Sequence, residues 1–117
     1  MTVEEIQSIC KRYTGVTEDI KWEDHLCFNV GEKMFLITAP DAVPVSASIK
    51  VSDEAFDELS NKKGFMPAPY LARYKWIFMD DINRLSKKQW ESYISTAYHM
   101  VGSKLPLKTR RKLGIGE

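Results

Sequence analysis

Long apolar runs, close cysteine pairs, glycine-rich loops and an excess of one charge are all missing from this sequence. The longest apolar stretches are Met34-Phe35-Leu36-Ile37 and Trp76-Ile77-Phe78-Met79, far short of the roughly 18 residues of a membrane span. A soluble chain with no membrane partner is expected. Its 117 residues hold two cysteines, Cys10 and Cys27, and no Cys-x-x-Cys, a usage that suits a reducing cytoplasm. Glu4 and Glu5 stand where a secretory signal would carry basic residues, which also points to a cytoplasmic location. There is no phosphate-binding Gly-rich loop, dinucleotide fingerprint, His-Glu-x-x-His or Gly-x-Ser-x-Gly, so the expectation is a protein that is not an enzyme. With 44% hydrophobic and 28% charged residues, disorder, collagen-like repeats and a coiled coil are excluded. The size suits one domain, residues 1–117, that folds without disulfides or metal.

The hydrophobic pattern orders the chain. Thr2 and Glu5 form a capping box ahead of Val3, Ile6, Ile9, Cys10 and Tyr13 at helical spacing, with Gly15 as the stop. Residues 20–23, 26–30, 34–39 and 45–51 are short runs rich in aromatic and β-branched residues, separated by turn-forming residues, and read as an antiparallel meander. In the last of these Ala47, Ile49 and Val51 alternate with Ser46, Ser48 and Lys50, the mark of a half-buried sheet. Ser52 caps a second helix. The proline-stiffened loop 64–70 is expected to pack its Phe65, Met66 and Tyr70 inward, and a strand follows at 74–79. A capping box at Ser86 and Gln89 opens a long helix with the stripe Trp90, Tyr93, Ile94, Ala97, Tyr98 and Val101. Pro106 starts a short basic helix that Gly114 ends. The order predicts an α+β, two-layer fold: a twisted antiparallel sheet of about five strands with helices on one face.

Few side chains offer chemistry. Cys10 and Cys27 sit among apolar neighbours and read as inert buried thiols. His25 beside Glu23 and Asp24 reads as a solvated group before it reads as a metal site. Trp22, Trp76 and Trp90 read as core. The charge balance is more informative. Residues 1–83 carry nine basic and fourteen acidic side chains, a charge of −5, whereas residues 84–117 carry eight and two, a charge of +6. Lys104, Lys108, Arg110, Arg111 and Lys112 put five positive charges in nine residues, each a potential phosphate contact. The segment Tyr70 to Trp76 interleaves aromatic and basic residues, which would supply stacking surface for single-stranded nucleic acid where exposed.

Several segments resemble the MmcQ/YjbR family of small bacterial proteins. They are Cys27-Phe28-Asn29-Val30-Gly31-Glu32-Lys33-Met34-Phe35, Ser48-Ile49-Lys50, Pro67-Ala68-Pro69-Tyr70, Lys75-Trp76 and Ala97-Tyr98 followed by Lys104-Leu105-Pro106. The resemblance implies a fold like that of CyaY, the bacterial frataxin, and a DNA-binding role through a double-wing arrangement of the sheet and its hairpins. The expected function is thus a small non-enzymatic binding module that contacts DNA or another polyanion through phosphates. The residues expected to do so are Lys50, Arg73, Lys75, Lys87, Lys88, Lys104, Lys108, Arg110, Arg111 and Lys112. No cofactor or metal is expected. The alternatives are an adaptor whose basic last helix docks on an acidic protein partner and, ranked lower, a frataxin-like metal binder.

Overall fold

The computed structural model describes residues 1–115. It is an α+β structure of six strands and four helices. The strands β1 (Val16–Lys21), β2 (His25–Val30), β3 (Lys33–Ala39), β4 (Ser46–Lys50), β5 (Phe65–Pro67) and β6 (Trp76–Met79) form one sheet in the order β1-β2-β3-β4-β6-β5. Every neighbouring pair is antiparallel. The helices are α1 (Val3–Cys10), α2 (Asp53–Leu59), α3 (Lys87–Gly102) and α4 (Leu107–Leu113).

The capping chemistry read from the sequence sets the helix starts. Thr2 and Glu5 close a reciprocal box on α1, Ser86 and Gln89 do so on α3, and the Ser52 hydroxyl accepts from the Ala55 N–H on α2. Gly114, at φ +77°, ends α4. The strands alternate. Leu26, Phe28 and Val30 of β2, Ala47 and Ile49 of β4, and Ile77 and Met79 of β6 face the main core with Ile6, Ile9, Leu59, Trp90, Ile94 and Ala97 from the helices. Cys27, Ile37 and Trp76 face the other way and form a second, smaller cluster with Ala68 of the β5–β6 connection, against which Met34, Leu71 and Phe78 pack. One sheet face is therefore covered by helices, while the other is spanned in part by a loop.

Four details differ from the sequence reading. Helix α1 ends at Cys10 and not near Gly15, because Arg12 and Tyr13 make i→i−3 bonds to Ile9 and Cys10 that tighten the chain out of the α-helix. The first strand begins at Val16 and stops at Lys21; as a sheet edge it tolerates the polar Thr17, Glu18 and Asp19 that hid it. A sixth strand, β5, lies inside the expected loop, only three residues long and closed by Pro67, which cannot donate to a ladder. The strand expected from Tyr74 starts at Trp76, after a 3₁₀ turn (Ala72–Tyr74) that ends in a left-handed Lys75 at φ +62°.

Candidate nucleic-acid interface

The ends of β3, β4 and β6, the 3₁₀ turn and the C-terminus of α3 converge at one end of the sheet. Lys33 opens β3 directly after the Gly31-Glu32 turn, and Lys50 is the last residue of β4, paired with Trp76 of β6. Lys104 follows the Ser103 cap of α3. These three lysines line a groove of about 370 Å³ with Tyr74, Trp76, Met100 and Pro106. Gly31, at φ +56°, lies against the side chain of Leu105, so the β2–β3 turn and the α3–α4 corner hold Lys33 and Lys104 in place.

The lysine charges act on one another. The ammonium group of Lys50 is held below the usual lysine range, first by desolvation and then by the charge of Lys104, with a further contribution from Lys75 opposed by Asp53. Lys50 Nζ donates to the Tyr74 carbonyl oxygen, a neutral acceptor. Lys75 stands 4.8 Å over the Phe56 ring and Arg73 5.0 Å over the Tyr74 ring. Among the described residues none of Lys33, Lys50, Lys75 and Lys104 forms an ion pair. Arg12, Lys21, Lys62 and Arg84, by contrast, are matched to Glu91, Asp19, Glu58 and Asp80.

The structure thus brings Lys50, Lys75 and Lys104 together, with Arg73 on the adjoining turn. It sets Lys87 and Lys88 apart. They begin α3, about 22 Å along the helix axis from its C-terminus, where Lys87 lies close enough to Glu91 to help lower that carboxylate. Helix α4 starts one residue after the groove-lining Pro106 and exposes Lys108, Arg111 and Lys112, while Arg110 is half-buried with its Nε unpartnered among the described residues. Lys33 is masked in the sequence by Glu32 beside it in the turn, although its place at a strand start two residues after a hairpin glycine is a signal.

Other sequence readings change or sharpen. Trp76 and Trp90 are buried, but Trp22 is 61% exposed in the β1–β2 turn and is not core. Tyr70 does not pack inward: it is 98% exposed at φ +65°. Burial pushes the Cys10 thiol up to about 12 and raises Cys27. His25 Nδ1 is taken up by Asp24 Oδ1 at 2.7 Å and His99 Nδ1 by the Ser95 carbonyl oxygen at 2.7 Å. No three His, Cys, Asp or Glu side chains gather as metal ligands among the described residues. Nor is any helix among them long and apolar enough to cross a membrane.

Residues 11–100 match the YjbR family. The chain belongs to that family. A Deinococcus radiodurans protein, DR2400, described as carrying the domain DUF419, has the same fold with a TM-score of 0.85 at 23% identity, over 98% of this chain and 89% of that one. A Pseudomonas syringae protein aligns with a TM-score of 0.65 at 21% identity, over 85% of this chain and 97% of that one. No curated protein matches this YjbR chain.

Proposed function

We propose that this YjbR-family protein is a non-catalytic binding module of a reducing compartment that holds the phosphates of a nucleic acid in the Lys33–Lys50–Lys104 groove. The observation that carries the reading is the convergence of Lys33, Lys50 and Lys104 on one groove, none of them in an ion pair among the described residues; burial and the charges of Lys104 and Lys75, opposed by Asp53, hold the Lys50 ammonium below the usual lysine range. Folding against mutual repulsion is sustained at this point, and a polyanion would relieve it. The hydrogen-bonded histidines and the raised thiols support a binding role over a catalytic one.

A titration of a labelled duplex by fluorescence anisotropy tests this. Four phosphate contacts from Lys33, Lys50, Lys75 and Lys104 give a slope of log K on log salt near −3.6 on duplex DNA, and Lys104→Ala makes it shallower by about 0.9. Lys87→Ala/Lys88→Ala leaves the slope unchanged. Binding no tighter than about 100 μM at low salt, the weak limit of non-specific affinities, refutes the reading.

A further inference from the structure

The sheet face opposite the main helices carries a second depression, of about 570 Å³, and Met34 lines both it and the lysine groove. The depression is lined by Ile37, Ser48 and Phe78 from the adjacent strands β3, β4 and β6. Trp22, from the turn at one end of the strand order, and Tyr70, from the connection at the other, stand around it. Both aromatic residues have left-handed backbones, at φ +51° and +65°, a conformation unfavourable for bulky side chains. Neither is repaid by burial. The Trp22 indole is oriented by an edge contact to His25, with ring centroids 5.9 Å apart and planes at 85°.

Resting on the phosphate reading of the neighbouring groove, we infer that this depression receives unpaired bases of a single-stranded nucleic acid, one stacked against Trp22 and another against Tyr70. Aromatic side chains beside a basic track are how single strands are held without sequence preference. A duplex keeps its bases stacked inside and cannot offer one to a concavity. Trp22 follows the Lys21↔His25 pair, and the adjoining Leu26 pairs with Thr38, five residues from Lys33 on β3, or about 17 Å, so a strand whose phosphates lie on the lysines reaches Trp22 within a few nucleotides. The Ser46 and Ser48 hydroxyls on its lining can meet base edges. An apolar protein segment would fill the same floor, but it would gain nothing from the lysines of the neighbouring groove.

The test titrates the full chain with a short oligothymidylate, a duplex of equal length and inorganic polyphosphate at matched salt. The oligothymidylate is expected to bind about tenfold more tightly than the duplex. It should quench tryptophan emission, since Trp22 is exposed whereas Trp76 and Trp90 are buried. Trp22→Ala and Tyr70→Ala each weaken oligothymidylate binding about fivefold to a hundredfold, leave the duplex and polyphosphate affinities in place, and unfold at the wild-type temperature within a few degrees; Trp22→Phe restores most of the loss. Equal affinity for single strand and duplex, or Trp22→Ala and Tyr70→Ala variants that bind the oligothymidylate normally, overturns the base site. Binding that still falls in Lys50→Ala and Lys104→Ala then leaves the phosphate groove standing. Absence of binding to all three probes overturns both.

Discussion

Gly31→Ala strikes the joint that positions two groove lysines, and its cost can be worked out from two separate contributions. The backbone there has φ +56°, where an L residue is disfavoured by about 1–2 kcal/mol. An added Cβ would also lie 2.7 and 2.9 Å from the Leu105 methyl carbons, well inside the 3.5–4.0 Å at which carbons pack. Leu105 is only 6% exposed and cannot swing into solvent, so relief must come from shifts in a packed region costing about 1–3 kcal/mol. The expected loss is about 2–5 kcal/mol. At about 2.1 cal/mol/K per residue the unfolding entropy of 117 residues is near 0.25 kcal/mol/K, so the midpoint falls by about 8–20 °C. Thermal and urea unfolding of Gly31→Ala, Leu105→Ala and the double variant separate the two contributions. Without the Leu105 methyls only the backbone penalty should remain, giving a coupling of about 1–3 kcal/mol. Gly102→Ala is the counter-case: nothing lies within 4 Å of its added Cβ and the residue closes α3, so it should stabilise, by up to about 1 kcal/mol. Equal losses for Gly31→Ala with and without the Leu105 side chain, or a destabilised Gly102→Ala, would refute the reasoning.

The pH dependence of polyanion binding should report the lysine cluster. Because the Lys50 ammonium is held below the ordinary 10.5, its neutral form appears first as pH rises, and affinity should begin to fall below that value; Lys104→Ala removes a neighbouring cation and should move the onset upward in an anisotropy titration. The same depression means that charged Lys50 opposes folding at neutral pH, and this cost is relieved as pH rises through its folded value towards 10.5. Cys10, raised from 9.0 to about 12, has the opposite consequence: its contribution to stability is full below pH 9.0 and is lost as pH rises towards 12, measurable as an alkaline fall in the urea midpoint that Cys10→Ala reduces. Tyr98→Phe removes the 2.6 Å bond from the phenol to the Thr14 carbonyl oxygen, which ties α3 to the chain leaving α1, and should cost about 1 kcal/mol in denaturant unfolding.

Local chemistry made the helices legible. A capping box specifies a helix start within a few residues, and the boxes at Thr2 and Ser86 form as written. The alternation of Ala47 and Ile49 with Ser46, Ser48 and Lys50 likewise appears as one buried and one half-buried face. Elements at the sheet edges were less legible, because β1 and β5 owe their existence to one neighbouring strand and not to an apolar pattern of their own. Trp22 shows a limit of another kind. Its indole reads as core by composition, yet the register Lys21↔His25 leaves Trp22, Glu23 and Asp24 as the turn, so the ring has no sheet face to enter.

The charge asymmetry along the chain explains why the sequence reveals only part of the site. The +6 of residues 84–117 points to the last helix, but of the groove lysines only Lys104 lies in that part; Lys33 and Lys50, with the neighbouring Lys75, belong to the stretch that sums to −5. Local potential depends on which charges are neutralised nearby and not on their order in sequence. The acidic majority of residues 1–83 is spent on helix first turns at Glu4, Glu5, Asp53 and Glu54 and on ion pairs such as Asp19–Lys21 and Asp80–Arg84. What remains without a paired carboxylate is a set of lysines drawn together by β3, β4, the 3₁₀ turn and the end of α3. Reversing the charge of Lys50 or Lys104 should therefore weaken polyanion binding more than the same change at Lys108 or Lys112, although the latter pair lies in the denser basic run. The reverse ranking in a low-salt anisotropy titration would return the interface to the last helix.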